Sequence, residues 1–137
     1  MLPRAAPLDE GDRPATDASA QSTTHDAGLD VYVREVERQP PLTVEEEEGL
    51  IRRLRGGDRQ ARETLVCRSL RLVPAVGRQF AGRGPSPLQL IEHGNVGLLG
   101  AVEAYERSDQ PLPFYVYAVE QIERAMSALV RSAAAVQ

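Results

Sequence analysis

The chain has 137 residues, 42% of them hydrophobic and 26% charged, enough for one domain with its own core and hardly for two. All 16 basic residues are arginine, and against 20 acidic residues they leave a net charge of −4, which excludes a uniformly basic nucleic-acid coat. Cys67 is the only cysteine, and with His25 and His93 it is too scattered for a closed Cys/His metal site, so the composition points to a reducing, cytoplasmic compartment, no metal and no cofactor.

Residues 1–27 contain Pro3, Pro7 and Pro14 and almost nothing that can be buried, and are expected to form a disordered tail that carries about −3 of the net charge. Met1 to Glu10 has no apolar region of the signal-peptide kind, and no apolar run approaches the ~20 residues of a membrane span, so no membrane partner is expected. From Leu29 the pattern is helical. Tyr32, Val33 and Val36 share one face of a first helix, which Pro40-Pro41 must end. Thr43 and Glu46 have capping-box spacing, predicting a second helix from Val44 to about Arg55, stopped by Gly56-Gly57. Asp58 caps a third helix carrying Leu65, Val66, Leu70, Leu72, Val73 and Val76, with a kink expected between Leu70 and Pro74 because an interior proline costs roughly 3 kcal/mol. After a loop at Gly82 to Pro85, Ser86, Pro87 and Gln89 form the strongest helix start in the chain. The fourth helix places Leu88, Ile91, Leu98, Leu99, Val102 and Tyr105 at apolar positions. A loop with Pro111 and Pro113 leads to a last helix, in which Phe114, Tyr117, Ala118, Ile122, Ala125, Met126 and Leu129 follow three-four spacing. No alternating strand pattern occurs. The expected fold is an all-α, compact multi-helix domain over 28–137.

Residues that could carry catalysis are sparse. Glu45 to Glu48 open a helix where carboxylates suit the macrodipole, and read as a solvated first turn. Cys67 and His93 lack any nucleophile motif, and a lone helical thiol reads as a small core residue. Gly82-Arg83-Gly84 lacks the spacing of a phosphate loop. No enzyme is indicated. Gly94, Gly97 and Gly100, each costing the helix about 1 kcal/mol against alanine, imply close approach of a neighbouring helix or a flat docking surface.

Leu90-Ile91-Glu92-His93-Gly94-Asn95-Val96-Gly97-Leu98-Leu99, followed by Ala101-Val102-Glu103, resembles a signature segment of bacterial RNA polymerase sigma factors of the sigma-70 family. Tyr32-Val33-Arg34-Glu35-Val36, Pro41-Leu42-Thr43, Gly57-Asp58 and Leu70-Arg71-Leu72-Val73 extend the likeness upstream in the family's order, and Phe114, Tyr117, Ala118, Ile122 and Ala125 extend it downstream, so that it covers about 30–130. The resemblance implies the helical second conserved region, which binds core polymerase and reads the minus-ten promoter element. It assigns polymerase binding, on a coiled coil of the largest subunit, to Gln89, Glu92, His93, Asn95 and Leu99. It also assigns weak contact with promoter DNA to Tyr32, Arg34, Tyr117, Glu120, Gln121 and Arg124.

The departures matter as much. Gln89, Glu92 and His93 stand where the family usually has aspartate, glutamine and glutamate, and Glu120-Gln121 replaces the paired tryptophans of the promoter-melting helix. Ser108 to Pro113 carries no cation where the family has a basic loop, and Gln137 is reached before any helix-turn-helix. The expected function is therefore that of a sigma-like transcription regulator engaging RNA polymerase core but impaired in promoter melting. The alternative is a mimic or decoy that binds an anti-sigma factor or other regulator.

Overall fold

The structure, a computed structural model, describes residues 27–107 and 113–136. The expected tail therefore lies outside the described residues apart from Ala27, which already opens a helix, and so does most of the loop around Pro111. Two units meet at Arg34 and Glu35. The described part of the first is the opening of helix α1 (27–38), where Tyr32 and Val33 are half-buried and Val31 and Arg34 exposed.

The second unit contains the end of α1, then α2 (Val44–Arg55), α3 (Arg59–Ser69), α4 (Leu72–Gly77), a 3-10 turn (Arg78–Phe80), α5 (Pro87–Arg107) and α6 (Phe114–Val136), with no strand among the described residues. The helix starts follow from local chemistry. The Thr43 hydroxyl accepts from the Glu46 amide at 3.0 Å while the Glu46 carboxylate accepts from the Thr43 amide at 2.9 Å, which satisfies two otherwise unpaired donors. Ser86 and Gln89 make the same reciprocal pair at the start of α5. Asp58 caps α3 by accepting from the Gln60 and Ala61 amides, and Gly57, at φ +87°, makes the left-handed turn between α2 and α3 that a side chain would resist.

The helical run is interrupted within the stretch, Leu70 to Pro74, where a kink is expected, with Leu70 and Arg71 both keeping right-handed helical backbone. The expected third helix breaks at Leu70–Arg71 and restarts at Leu72, so Pro74 falls in the first turn of α4, where a missing amide breaks no intrahelical bond. The Val73 amide has already closed on the Leu70 carbonyl at 3.1 Å. Since Pro74 is buried and fits its backbone, Pro74→Ala is expected to lower Tm by a few degrees through greater chain entropy in the unfolded state and a lost core contact; a rise would show strain at this position. Cys67 also departs from expectation. It is exposed, because the buried side of α3 is Ala61, Leu65 and Ser69, and two residues beyond Leu65 turn about 200° away from it.

Packing centres on α5 against α6. Leu98 and Val102 of α5, Ile122 and Met126 of α6, Val73 of α4, Leu54 of α2 and Leu65 of α3 are fully buried, each worth roughly 1.5–3 kcal/mol in burial. Tyr105 meets Phe114 edge-on at 5.3 Å, and the Arg55 guanidinium lies 5.0 Å over the Tyr105 ring while its Nε donates to the Tyr105 carbonyl at 3.0 Å. That contact fixes the end of α2 on the end of α5.

The three glycines of α5 divide. A Cβ at Gly97 would lie 2.8 Å from the Gln121 carbonyl oxygen, and one at Gly94 would lie 2.6 Å from both Met126 and Val73. Close approach of α6 and α4 explains these two. Gly100 has nothing within 4 Å of the corresponding point, because three-residue steps rotate the stripe by about 60° each and carry it round to solvent. Gly97→Ala should therefore cost about 1–3 kcal/mol, and Gly100→Ala should gain up to about 1 kcal/mol, in urea unfolding. Equal effects would contradict the helix crossing described.

Candidate functional site

Helix α5 is buried along Leu90, Ile91, Gly94, Leu98, Ala101, Val102 and Tyr105, and this leaves its opposite face to solvent. On that face Gln89, Glu92, His93, Val96, Leu99, Gly100 and Glu103 succeed one another over about four turns. Four of the five residues expected to bind polymerase are thus brought onto one exposed surface. Leu99 is 44% exposed, and Val96, which sequence reasoning passed over, is 69% exposed. Val96 and Leu99 are thus two neighbouring exposed aliphatic side chains on a helix that otherwise buries most of its apolar residues.

The members of the patch differ in how free they are. Gln89 is committed to the Ser86 capping pair, which holds its side chain at the helix start. The His93 ring donates from Nδ1 to the Gln89 carbonyl at 3.0 Å and so presents its other nitrogen as the available polar atom. Glu92 is exposed. Asn95 lies at the edge of the patch, half-buried, and its Oδ1 is buried with no hydrogen-bond partner. An unpaired buried acceptor costs about 1–3 kcal/mol, which a donor from a bound partner would recover.

The residues expected to touch DNA are less coherent. Tyr32 is half-buried and Arg34 exposed, both on α1, while the remaining four lie on α6. Tyr117 is half-buried, with its ring 5.6 Å from Tyr105 and tilted at 42°, so it is engaged in the aromatic cluster with Phe114. Glu120 and Arg124 are exposed and, with Glu123, Ser127 and Arg131, line a wide surface recess of about 560 Å³ floored by Phe80. Gln121 is half-buried, and its carbonyl is the one that approaches Gly97. The two positions standing in for paired tryptophans are therefore unlike: one is exposed, and the other is half-buried with its backbone at the helix crossing.

One structural carboxylate was hidden by its neighbours. Glu45, Glu46 and Glu48 are exposed, as expected of a solvated first turn, but Glu47 is only 9% exposed, and its Oε1 accepts from the Phe114 amide at 3.0 Å. It caps α6 from another helix. Burial, opposed by the Phe114 and Tyr115 amides and aided by the charge of Glu48, pushes its carboxyl above the usual range. The available signal was spacing, since Glu47 stands in register with the buried Leu50, Ile51 and Leu54. Among the described residues no helix is long and apolar enough to cross a membrane.

No protein-family model matches the chain. It is similar to RNA polymerase sigma factor SigA of Clostridium acetobutylicum, with 38% identity over 97 residues that cover 71% of this chain and 25% of that protein. RNA polymerase sigma factor RpoS of Coxiella burnetii is 40% identical over 100 residues, covering 70% of this chain and 28% of its own length. RNA polymerase sigma factor SigA of Listeria monocytogenes is 36% identical over 97 residues, covering 71% and 26%. The chain spans about a quarter of the length of the curated relatives it matches.

Proposed function

From the premise that this chain belongs by sequence to the sigma-70 family of RNA polymerase sigma factors, we propose that it engages RNA polymerase core through the exposed face of α5 and acts in transcription initiation with impaired promoter melting. The observation that carries this reading is the assembly of Glu92, His93, Val96 and Leu99 on one solvent-facing strip beside the unpaired Oδ1 of Asn95. Apolar contact through Val96 and Leu99 supplies affinity, and Asn95 and His93 supply register, because a misaligned partner leaves the buried amide oxygen unsatisfied. The coiled coil of the polymerase's largest subunit fits as occupant: it is itself helical, and a helix can lie along a strip about four turns long that Gly100 leaves low toward its C-terminal end.

The test is a surface variant in a pull-down with core polymerase. Leu99→Asp adds a charge at an exposed position and should leave Tm within a few degrees of the parent while reducing capture at least tenfold. Unchanged capture would remove this face from the interaction.

A further inference from the structure

A second candidate site lies away from the α5 strip. Between the segment entering α2, the break between α3 and α4, and the first turn of α6 there is a cavity of about 250 Å³. Arg68, Ser69 and Arg71 line it, together with Leu42, Glu47 and Tyr115. The Nε atoms of both Arg68 and Arg71 are buried without a hydrogen-bond partner, although Arg68 also donates from Nη2 to the Pro40 carbonyl at 2.8 Å. We infer that this cavity receives a compact oxyanion, a phosphate or carboxylate group, held between Arg68 and Arg71, with its apolar body against Leu42 and Tyr115.

The charges decide in favour of an anion. Guanidinium groups stay protonated in proteins, so the cavity keeps both positive charges at any accessible pH. Glu47, the carboxylate on its lining, is already committed to the Phe114 amide. Glu46, which Arg68 attracts, is committed to the Thr43 amide. Among the described residues neither buried Nε finds an acceptor. Burying a charged donor without one is costly, and an oxyanion offers several lone pairs to a guanidinium in the geometry that arginine matches best. Arg68 and Arg71 are three positions apart across helical backbone, the spacing that puts two side chains on one face, and both line the cavity. Tyr115 at the rim is 52% exposed, so its ring is available to a ligand entering from solvent. The site does not depend on the polymerase reading, and its failure would leave that reading untouched.

The experiment is titration calorimetry on the full chain with three probes at constant ionic strength: inorganic phosphate, phenyl phosphate and phenol. The expected result is binding of both phosphates, tighter for phenyl phosphate, with a rise in Tm and no binding of phenol. Arg71→Gln should weaken both phosphates at least tenfold with the fold intact by circular dichroism, while Arg107→Gln, outside the cavity and equal in charge change, should stay within twofold. Tyr115→Ala separates the parts of the site by weakening phenyl phosphate alone. A short single-stranded oligonucleotide as competitor distinguishes a free phosphate from one in a nucleic-acid backbone. Phenol binding as tightly as phenyl phosphate, or phosphate binding that ignores Arg71→Gln, would overturn the inference.

Discussion

Glu47→Ala is expected to destabilise the protein by about 2–3 kcal/mol, a fall in Tm of roughly 10 °C or more, the largest effect of any single carboxylate substitution in the chain. The substitution leaves the buried Phe114 amide without its acceptor and opens a small void where α2 meets the start of α6. Glu47→Gln keeps an acceptor and removes the charge, so it should remain close to the parent at neutral pH. The pH dependence follows from the raised carboxyl. A folded-state value above the unfolded one means that the contribution of Glu47 is fully present below the unfolded value and is lost as pH rises through the folded value. Glu46 and Asp58, held below the usual range chiefly by the Thr43 amide and by Arg53 respectively, run the other way and lose their contribution as pH falls through their folded values. Only the difference between parent and Glu47→Gln isolates the buried group. In urea titrations from neutral pH toward about 4.5 the parent should gain on the variant. A flat difference would place Glu47 in contact with solvent.

A minus-ten single strand should not be captured tightly by this chain. Holding flipped bases takes aromatic faces worth about 1–3 kcal/mol per base and cations on the phosphates. Glu120 is exposed and negative, Gln121 is turned partly into the helix crossing, and Tyr117 is occupied by Tyr105. Fluorescence anisotropy with a labelled minus-ten oligonucleotide at about 0.1 M salt is expected to show at most weak, sequence-indifferent binding. Tight binding abolished by Tyr117→Ala would reverse this expectation. The double variant Glu120→Trp, Gln121→Trp should restore less than two free aromatic faces would, because position 121 is half-buried where position 120 is exposed.

What could be read from the sequence was local. Thr43 with Glu46, Asp58, and Ser86 with Gln89 act within three residues, so both the all-α fold and the helix starts could be read from spacing. Pro74 shows the limit of that reasoning: its cost depends on where the helix restarts, and the pattern of apolar residues runs unbroken across the restart. The stripe at Gly94, Gly97 and Gly100 was visible as a motif, but which members face α6 depends on the rotation of α5, which only the packed structure fixes. Contacts between distant segments were hidden altogether. Glu47 and Phe114 are 67 positions apart, and nothing in a run of four glutamates distinguishes the third except its register with Leu50 and Leu54. Val96 was passed over for a similar reason, since its exposure depends on which face of α5 is buried, and Leu99, read as an apolar position of the same helix, turns out 44% exposed.

The most direct measurement is equilibrium binding of the full chain to RNA polymerase core, followed by anisotropy of a label placed on Cys67, which is exposed and lies on α3 away from the α5 strip by sequence and element. The expected result is saturable binding at micromolar concentration or tighter, weakened at least tenfold by Leu99→Asp and by Asn95→Ala, with Gly100→Ala stabilising the free protein without strengthening the complex. Absence of binding at low salt, with the same protein instead capturing an anti-sigma factor, would contradict a role on the polymerase and make the chain a decoy.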